Sequence, residues 1–202
     1  MTSSAPVCRS APNLRPQYLR DWRATTEADH FVQFYHTDDY LVECLAGYVA
    51  DGIWKGENVV VIATSAHRAA LEQRLRVKNV HVLSTALKRH YLAWDAADML
   101  SRFMVQGRPD AAKFFDVLGG LVRKATAGGQ VLRAFGEMVA LLWVDGNRAA
   151  AIELEQLWNR LSQRHAFALF CAYPAAQMET KNGEPGFEHV CAHHSCIVSL
   201  TA

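Results

Sequence analysis

The sequence predicts a three-layer α/β domain in which a mostly parallel sheet is covered by helices on both faces. Short apolar runs that suit strands alternate along the chain with segments of helical periodicity. These runs are mostly apolar rather than alternating between apolar and polar residues, as is typical of strands buried on both faces. The 202 residues, 50% hydrophobic and 20% charged, are enough for one such domain with a well-buried core.

The first 28 residues differ from the rest in composition. They are polar and contain three of the six prolines, which predicts a flexible N-terminal arm over residues 1–28. We therefore expect a single ordered domain over residues 29–202. Its first strand is predicted at HFVQFY (30–35).

Two further strands are predicted in the first half of the domain, at ENVVVIATS (57–65) and VHVLST (80–85). A helix over residues 39–52 is predicted between the first two strands, with Asp38 or Asp39 as its N-cap and Gly52 as its end. Residues 66–76 predict a short, charged helix.

The remaining elements continue the alternation. Asp95 is predicted to cap a helix that ends at Gly107 and Pro109, and Gly128 and Gly129 to end another. The later segments are VLRAF (131–135) as a strand, EMVALLW (137–143) as either a strand or a buried helix, residues 148–164 as a helix, FALFCAYP (167–174) as a strand, and FEHVCAHHSC (187–196) as a short helix leading to a last edge strand, CIVSLT (196–201).

Charge and cysteine usage exclude several partners. The formal net charge is +1 without any block of Lys or Arg, so neither nucleic acid nor a membrane surface is expected as a partner. No apolar stretch approaches the roughly 20 residues of a membrane-spanning helix, and the N-terminus has no apolar signal core. Five cysteines without a C-x-x-C pair predict reduced thiols and a cytoplasmic location.

Common catalytic motifs are missing from the chain. It contains no G-x-x-x-x-G-K-[ST], G-x-G-x-x-G, H-E-x-x-H or G-x-S-x-G pattern. The enzyme classes that depend on these motifs are therefore disfavoured, and no cofactor is expected.

Polar residues at the predicted strand ends indicate a binding site instead. Ligands of open α/β sheets bind outside the carboxyl ends of the strands, near the point where the strand order reverses. A few convergent polar groups at such a place are typical of a small-molecule site. The predicted ligand-binding residues are Tyr35, His36, Asp38, Thr64, Arg133, Glu137 and Tyr173.

Glu137 and Tyr35 each allow two interpretations. Glu137 is either a solvated ligand contact or a carboxylate that pairs with Arg133, or another arginine, or caps the next segment, and we expect the ligand contact. Tyr35 either contacts the ligand or ends its strand with the hydroxyl in water.

The C-terminal segment contains a group of histidines and cysteines. His189 and His193 are four residues apart, so a helix would place them on one face with Cys196 near them as weak candidates for metal ligands. The segment lacks an established zinc spacing, so a structural role is favoured and no metal is expected. Cys171 is interpreted as a buried strand cysteine, and Trp143 and Trp158 as core residues.

Several stretches together resemble a known family. HFVQFYHTDDYLVECLAGYVADGIWKGENVVVIAT (30–64), RAFGEMVALLWVDGNRAAAIELEQLWNRL (133–161), FALFCAYP and VCAHHS resemble the MEDS domain, a sensory module of methanogen and methylotroph regulators. The resemblance implies a non-catalytic, ligand-responsive domain that signals through a protein partner such as a kinase or a transcription regulator. The strand–helix order is also similar to RecA-like ATPases of the circadian-clock type, with YHTDD (35–39), which lacks glycine and lysine, as a degenerate P-loop.

Two other functions stay open from the sequence. A degenerate RecA-like ATPase would use Glu137 with Asp38 or Asp39, and steady ATP turnover would identify it. A ligand-free interaction module, such as a homo-oligomer, would show apolar patches and a larger mass in solution.

Overall fold

The computed structural model describes residues 19–20, 23, 26, 28–82, 90–178 and 185–198. The strands are β1 Leu19–Arg20, β2 His30–Tyr35, β3 Asn58–Ala63, β4 Tyr91–Asp95, β5 Met104–Val105, β6 Arg108–Pro109, β7 Leu132–Gly136, β8 Ala168–Pro174 and β9 Cys196–Val198. The helices are α1 Asp38–Trp54, α2 Ser65–Val77, α3 Ala96–Ser101, α4 Ala111–Ala125, α5 Met138–Val144, α6 Arg148–Ser162 and α7 Phe187–Ala192.

A parallel sheet forms the middle layer. Within the described residues its seven strands run in the order β1-β9-β2-β8-β7-β3-β4, and every pairing is parallel. One apolar core packs α1 and α2 against one face of the sheet. A second apolar core packs the five helices from α3 through α7 against the other face. The predicted three-layer α/β fold is confirmed.

The path of the chain creates a switch point between β3 and β7. These two strands are neighbours in the sheet. After β3 the chain continues to β4 on one side of the pair, whereas after β7 it continues to β8 on the other side. Helix α2, which follows β3, packs on one face, and α5, which follows β7, packs on the opposite face. The loops after these two strands therefore diverge, which leaves a crevice at their carboxyl ends.

The third predicted strand is wrong in place. Residues 80–82 are not in a strand, and residues 83–85 lie outside the described residues. The strand that pairs with β3 at this edge of the sheet is instead β4, and its last residue, Asp95, is the predicted cap. That cap is confirmed, because Asp95 Oδ1 accepts the backbone N–H groups of Ala97 at 3.0 Å and Asp98 at 3.2 Å.

Several element ends differ from the predicted ones. The N-cap of α1 is Thr37, whose hydroxyl accepts the Tyr40 N–H at 3.3 Å, and the helix continues through Gly52 to Trp54. Helix α3 ends at Ser101, and a hairpin of β5 and β6 follows it where the helix was expected to continue. Residues 138–144 are helical, and β9 lies between β1 and β2 rather than at an edge. Most of the predicted flexible arm lies outside the described residues.

Gly56 allows the turn after α1, and its replacement is a test of this helix end. Its φ is +74°, and no atom lies within 4 Å of an added Cβ, so only conformational strain opposes a side chain there. We expect Gly56→Ala to lower the free energy of unfolding by about 1 kcal/mol in urea denaturation. Gly120→Ala, inside α4 with 3.8 Å of clearance, should raise it by up to about 1 kcal/mol. Equal effects at both positions would contradict this account.

Candidate functional site

Glu137 lies at the switch point, directly after β7. One carboxylate oxygen, Oε2, accepts the backbone N–H of Thr64 at 2.8 Å, and the other, Oε1, lies 2.6 Å from His67 Nδ1. The carboxylate thereby joins the loop after β7 to the start of α2. The name switch-point site is used below for Tyr35, Asp38, Thr64, His67 and Glu137.

His67 connects Glu137 to the surface. It lies in the first turn of α2, where the hydroxyl of the N-cap Thr64 accepts its backbone N–H at 3.3 Å. Its Nε2 is 3.4 Å from Asp38 Oδ1, at the start of α1. The Asp38 side chain is 76% exposed and that of Glu137 is 4% exposed, so the three side chains form a line from solvent into the protein.

Burial and neighbouring carboxylates shift the pKa values of His67 and Tyr35 in the switch-point site. The hydrogen bond to Glu137 raises the pKa of His67, with burial opposing it and the charges of Glu137 and Asp38 adding to it. Burial, followed by the charges of Glu137 and Asp38, raises the pKa of Tyr35, so its phenol stays protonated. The site therefore favours a positively charged imidazole between two carboxylates.

A groove of about 270 Å³ borders the switch-point site. Arg74 crosses it and pairs with Asp39 and, at 2.8 Å, with Glu43. The groove therefore offers both signs of charge around a small apolar floor. Its lining residues are Asp38, Asp39, Val42, Ala66, His67, Ala70, Gln73 and Arg74.

The structure brings together four of the seven predicted ligand-binding residues, namely Tyr35, Asp38, Thr64 and Glu137. His36 is exposed just after β2. His67, which completes the line, was not predicted. Its only signal in the sequence is its place three residues after Thr64, in the first turn of a helix that follows a buried strand.

Arg133 and Tyr173 lie elsewhere. Arg133 Nη2 pairs with Asp51 at 2.7 Å and its Nε with Glu57, near the amino end of β7, where it lines a second cavity of about 600 Å³. The Tyr173 hydroxyl donates to Glu155 Oε1 at 2.7 Å on the α6 side of the sheet. Ligands of parallel sheets bind at the carboxyl ends of the strands, so the smaller groove is the better candidate.

The expected solvated position of Glu137 is wrong, because its carboxylate is buried. The alternative pair with Arg133 is not formed either, since Glu137 contacts His67 and Arg133 pairs with Glu57. Because this carboxylate is buried, a substitution at Glu137 changes the stability of the fold as well as the binding of any ligand.

A second polar group, the His/Glu/Cys cluster of His30, Glu155, Cys171 and His194, is buried on the opposite face of the sheet. His30 Nε2 is 3.3 Å from both Cys171 Sγ and Glu155 Oε2, and His194 Nε2 is 3.5 Å from Glu155 Oε1. Of the histidines and cysteines of the C-terminal segment, only His194 enters this cluster.

The weak metal candidates His189, His193 and Cys196 do not form a group in the described part of the chain. His189 is exposed and its Nδ1 accepts the Gly186 N–H at 3.3 Å, while Cys196 packs against the core of α1 and α2. Cys44, Cys171 and Cys196 are free thiols, whereas Cys191 is disulfide-bonded, so the expectation of five reduced thiols is wrong at Cys191.

Fold and site together define the class of this protein: a parallel α/β domain with polar residues gathered at the switch point. Residues 29–194 match the MEDS family, the methanogen/methylotroph, DcmR sensory domain, and the chain belongs to this family. The resemblance to the MEDS domain seen in the sequence is thereby confirmed. No curated protein matches the chain. In the described residues, no helix has the length and apolar character needed to cross a membrane.

Proposed function

We propose that this sensory domain binds a small polar ligand in the groove at the switch-point site and passes the signal to a protein partner without catalysis. The observation that carries the proposal is the line Asp38–His67–Glu137, which begins in solvent at the groove and ends at the buried Glu137 carboxylate on the backbone N–H of Thr64. Its exposed end can exchange partners, whereas its buried end is fixed to two helices.

Through these three side chains, a ligand bound at Asp38 acts on helices that lie on both faces of the sheet. A ligand that takes Asp38 away from His67 removes one of the two carboxylates beside the imidazole. Glu137, which then holds His67 alone, also accepts the Thr64 N–H at the start of α2 and precedes α5. Because α2 and α5 lie on opposite faces, a shift of this carboxylate favours a second arrangement of both helices.

The lining of the groove indicates the chemistry of the ligand. Asp38 presents an exposed carboxylate, and Arg74 is already paired with Asp39 and Glu43. A compound that offers an ammonium group or several hydroxyl donors to Asp38 suits this arrangement better than an anion does.

Nucleotide hydrolysis is disfavoured by the same geometry. Only His36 and Thr37 connect β2 to α1, where a phosphate-binding loop would lie. A phosphate cradle needs several backbone N–H groups, glycines for close approach and a lysine, and this connection has no room for them.

A thermal-shift screen tests the proposal, using separate panels of small amines, polyols, carboxylic acids and nucleotides. We expect an amine or a polyol to raise the melting temperature of the wild-type protein. Asp38→Asn should abolish that shift because it removes the charge that faces the groove. Asp116→Asn, a matched change at an exposed position on α4, should leave it intact.

The screen also has outcomes that overturn the proposal. A shift that persists unchanged in Asp38→Asn would place the ligand elsewhere, with the 600 Å³ cavity at Arg133 as the next site to test. Steady ATP turnover by the purified protein would replace the sensory proposal with the ATPase. The absence of any shift across all four panels would favour an interaction module without a small ligand.

A further inference from the structure

The His/Glu/Cys cluster brings four chemically mixed donors to one buried point. His30 comes from the start of β2, Glu155 from α6, Cys171 from β8 and His194 from the segment after α7. One donor atom of each residue lies within 4.8 Å of each of the others, and all four residues are buried. No part of the switch-point site contributes to this cluster.

Hydrogen bonds around the cluster fix the orientation of His194. Its Nδ1 is 2.7 Å from the carbonyl oxygen of Val190, which only accepts, so Nδ1 carries a proton and donates it. Its Nε2 then presents a lone pair towards the cluster, where this fully buried atom has no hydrogen-bond partner.

His30 is oriented in the same way. Its Nδ1 is 2.8 Å from Asn159 Oδ1, and the orientation of that amide is set because Asn159 Nδ2 donates to the carbonyl oxygen of His193 at 2.9 Å. The Asn159 oxygen therefore accepts from His30 Nδ1–H. His30 Nε2 faces Cys171 and Glu155, and in the neutral ring this atom presents a lone pair to them.

With both imidazole rings neutral, the cluster contains more acceptors than donors. The two imidazole lone pairs face a carboxyl group whose Oε1 already accepts the Tyr173 hydroxyl, and the Cys171 thiol supplies one proton. An additional proton would bridge two of these atoms, but four converge. A bound cation would satisfy all of them at once, and thiol, imidazole and carboxylate are the ligands of divalent transition metals.

We propose that His30, Glu155, Cys171 and His194 bind one divalent transition-metal ion, and that this ion is Zn²⁺. In a tetrahedral site with Zn–N near 2.0 Å and Zn–S near 2.3 Å, ligand atoms lie about 3.3–3.8 Å from one another. Three contacts in the cluster lie in this range: 3.3 Å for His30 Nε2 to Cys171 Sγ, 3.8 Å for Cys171 Sγ to Glu155 Oε2 and 3.5 Å for His194 Nε2 to the other oxygen, Glu155 Oε1. One donor atom from each of the four residues lies within 4.8 Å of the others, so small side-chain shifts bring all four to one ion.

The surroundings of the cluster suit a metal centre as well. Metal-ligating histidines usually donate their other ring N–H to a carbonyl or carboxylate, and here Val190 and Asn159 provide the acceptors. The Tyr173 hydroxyl orients Glu155. Binding deprotonates the Cys171 thiol, so one proton is released to solvent per ion.

Four protein ligands and full burial are typical of a structural zinc site. The ion would tie the segment after α7 and helix α6 to the neighbouring strands β2 and β8. The fold would then gain stability from the metal, independently of any ligand at the switch-point site.

The test begins with the wild-type chain, treated with a chelator and dialysed against Zn²⁺ or Co²⁺. We expect one Zn²⁺ per chain by elemental analysis and a melting temperature roughly 5–10 °C higher at saturating Zn²⁺. The Co²⁺ form should show the ligand-field bands of tetrahedral cobalt and a near-ultraviolet band from a thiolate ligand.

Variants assign the ligands. Cys171→Ser should lose the thiolate band and most of the Zn²⁺-dependent stabilisation, and Glu155→Gln should lose bound Zn²⁺. Cys44→Ser, a change at a buried thiol outside the cluster, should behave as wild type. If Cys171→Ser does not fold, the thiolate band of the wild type, retained in Cys44→Ser, still supports the proposal.

Two results would overturn it. The first is a wild-type protein that retains no Zn²⁺ and has the same melting temperature with and without Zn²⁺ or Co²⁺. This result would show that the cluster holds only protons. A thiolate band of full intensity in Cys171→Ser would show that the metal is bound by another cysteine. Neither result would affect the ligand screen, because Asp38 is not part of the cluster.

Discussion

Replacing Glu137 by Gln is expected to lower the free energy of unfolding by about 2–3 kcal/mol near pH 6, since hydrogen bonds to a charged, buried group contribute about that much. The amide can still accept the Thr64 N–H, but its other end cannot accept from a protonated His67. Urea denaturation at constant pH measures the loss. Glu153→Gln, which breaks a largely exposed pair with Arg108, should cost much less, because solvent screens that pair.

The effect of Glu137→Gln should depend on pH in a definite direction. Glu137 raises the pKa of His67 in the folded protein above its ordinary value of 6.5. A group with a raised folded pKa contributes stability that is complete below the unfolded pKa and is lost as the pH rises through the folded pKa. The difference between wild type and variant should therefore be largest below pH 6.5 and should shrink as the pH rises through the folded pKa of His67.

His67→Gln provides the internal check. If His67 and Glu137 act as a pair, the double variant should be less destabilised than the sum of the single variants, with a coupling energy in the 0.5–3 kcal/mol range typical of contacting residues. Additive effects, or a difference that grows with pH, would show that Glu137 stabilises the protein through Thr64 alone. The pair would then carry no signal from Asp38.

The fold was predictable because its central strands are buried on both faces. The stretches that form β2, β3, β7 and β8 are mostly apolar, without an alternation of apolar and polar residues, which is a strong local signal. Edge strand β4 instead alternates between buried and exposed residues and includes Trp94 and Asp95, so the more apolar residues 80–85 were preferred. Val80 and Val82 are nevertheless buried, which shows that the apolar run indicates burial rather than a strand.

The candidate site was predictable only where strand ends determine it. The rule for strand ends found Thr64 and Glu137, because both directly follow buried strands that are neighbours in the sheet. It misplaced Arg133, which lies near the start of its strand, and Tyr173, whose side chain points to the α6 side. Which face a side chain takes depends on strand register and sheet order, and the sequence alone does not give these.

The His/Glu/Cys cluster shows the same limit more clearly. Its members are residues 30, 155, 171 and 194, which form no motif of fixed spacing. They meet because β2 and β8 pair in register and α6 packs across them, a consequence of tertiary structure alone. The local spacing of the histidines near the C-terminus indicated weak metal candidates, but the fold places only His194 of that segment in the cluster.

Trp158→Ala is expected to have the largest effect on stability of any variant considered, about 3–5 kcal/mol. Trp158 is fully buried on α6, packs edge-on against Phe114 with ring centroids 5.3 Å apart, and lies behind Gly136 at the end of β7. Its removal leaves a cavity beneath the strand end that carries Glu137. Trp54→Ala, at an exposed position that ends α1, should change the free energy of unfolding by less than about 0.5 kcal/mol.

Trp158→Phe separates shape from polarity at this position. The indole Nε1 is buried without a hydrogen-bond partner, so the benzene ring gives up no hydrogen bond and leaves a smaller cavity. We expect Trp158→Phe to cost less than half of what Trp158→Ala costs in urea denaturation. Equal costs would mean that the indole is held by a polar contact rather than by packing. A small cost for Trp158→Ala would mean that α6 does not brace the end of β7, and the rigid support of Glu137 would then have to come from His67 and Thr64.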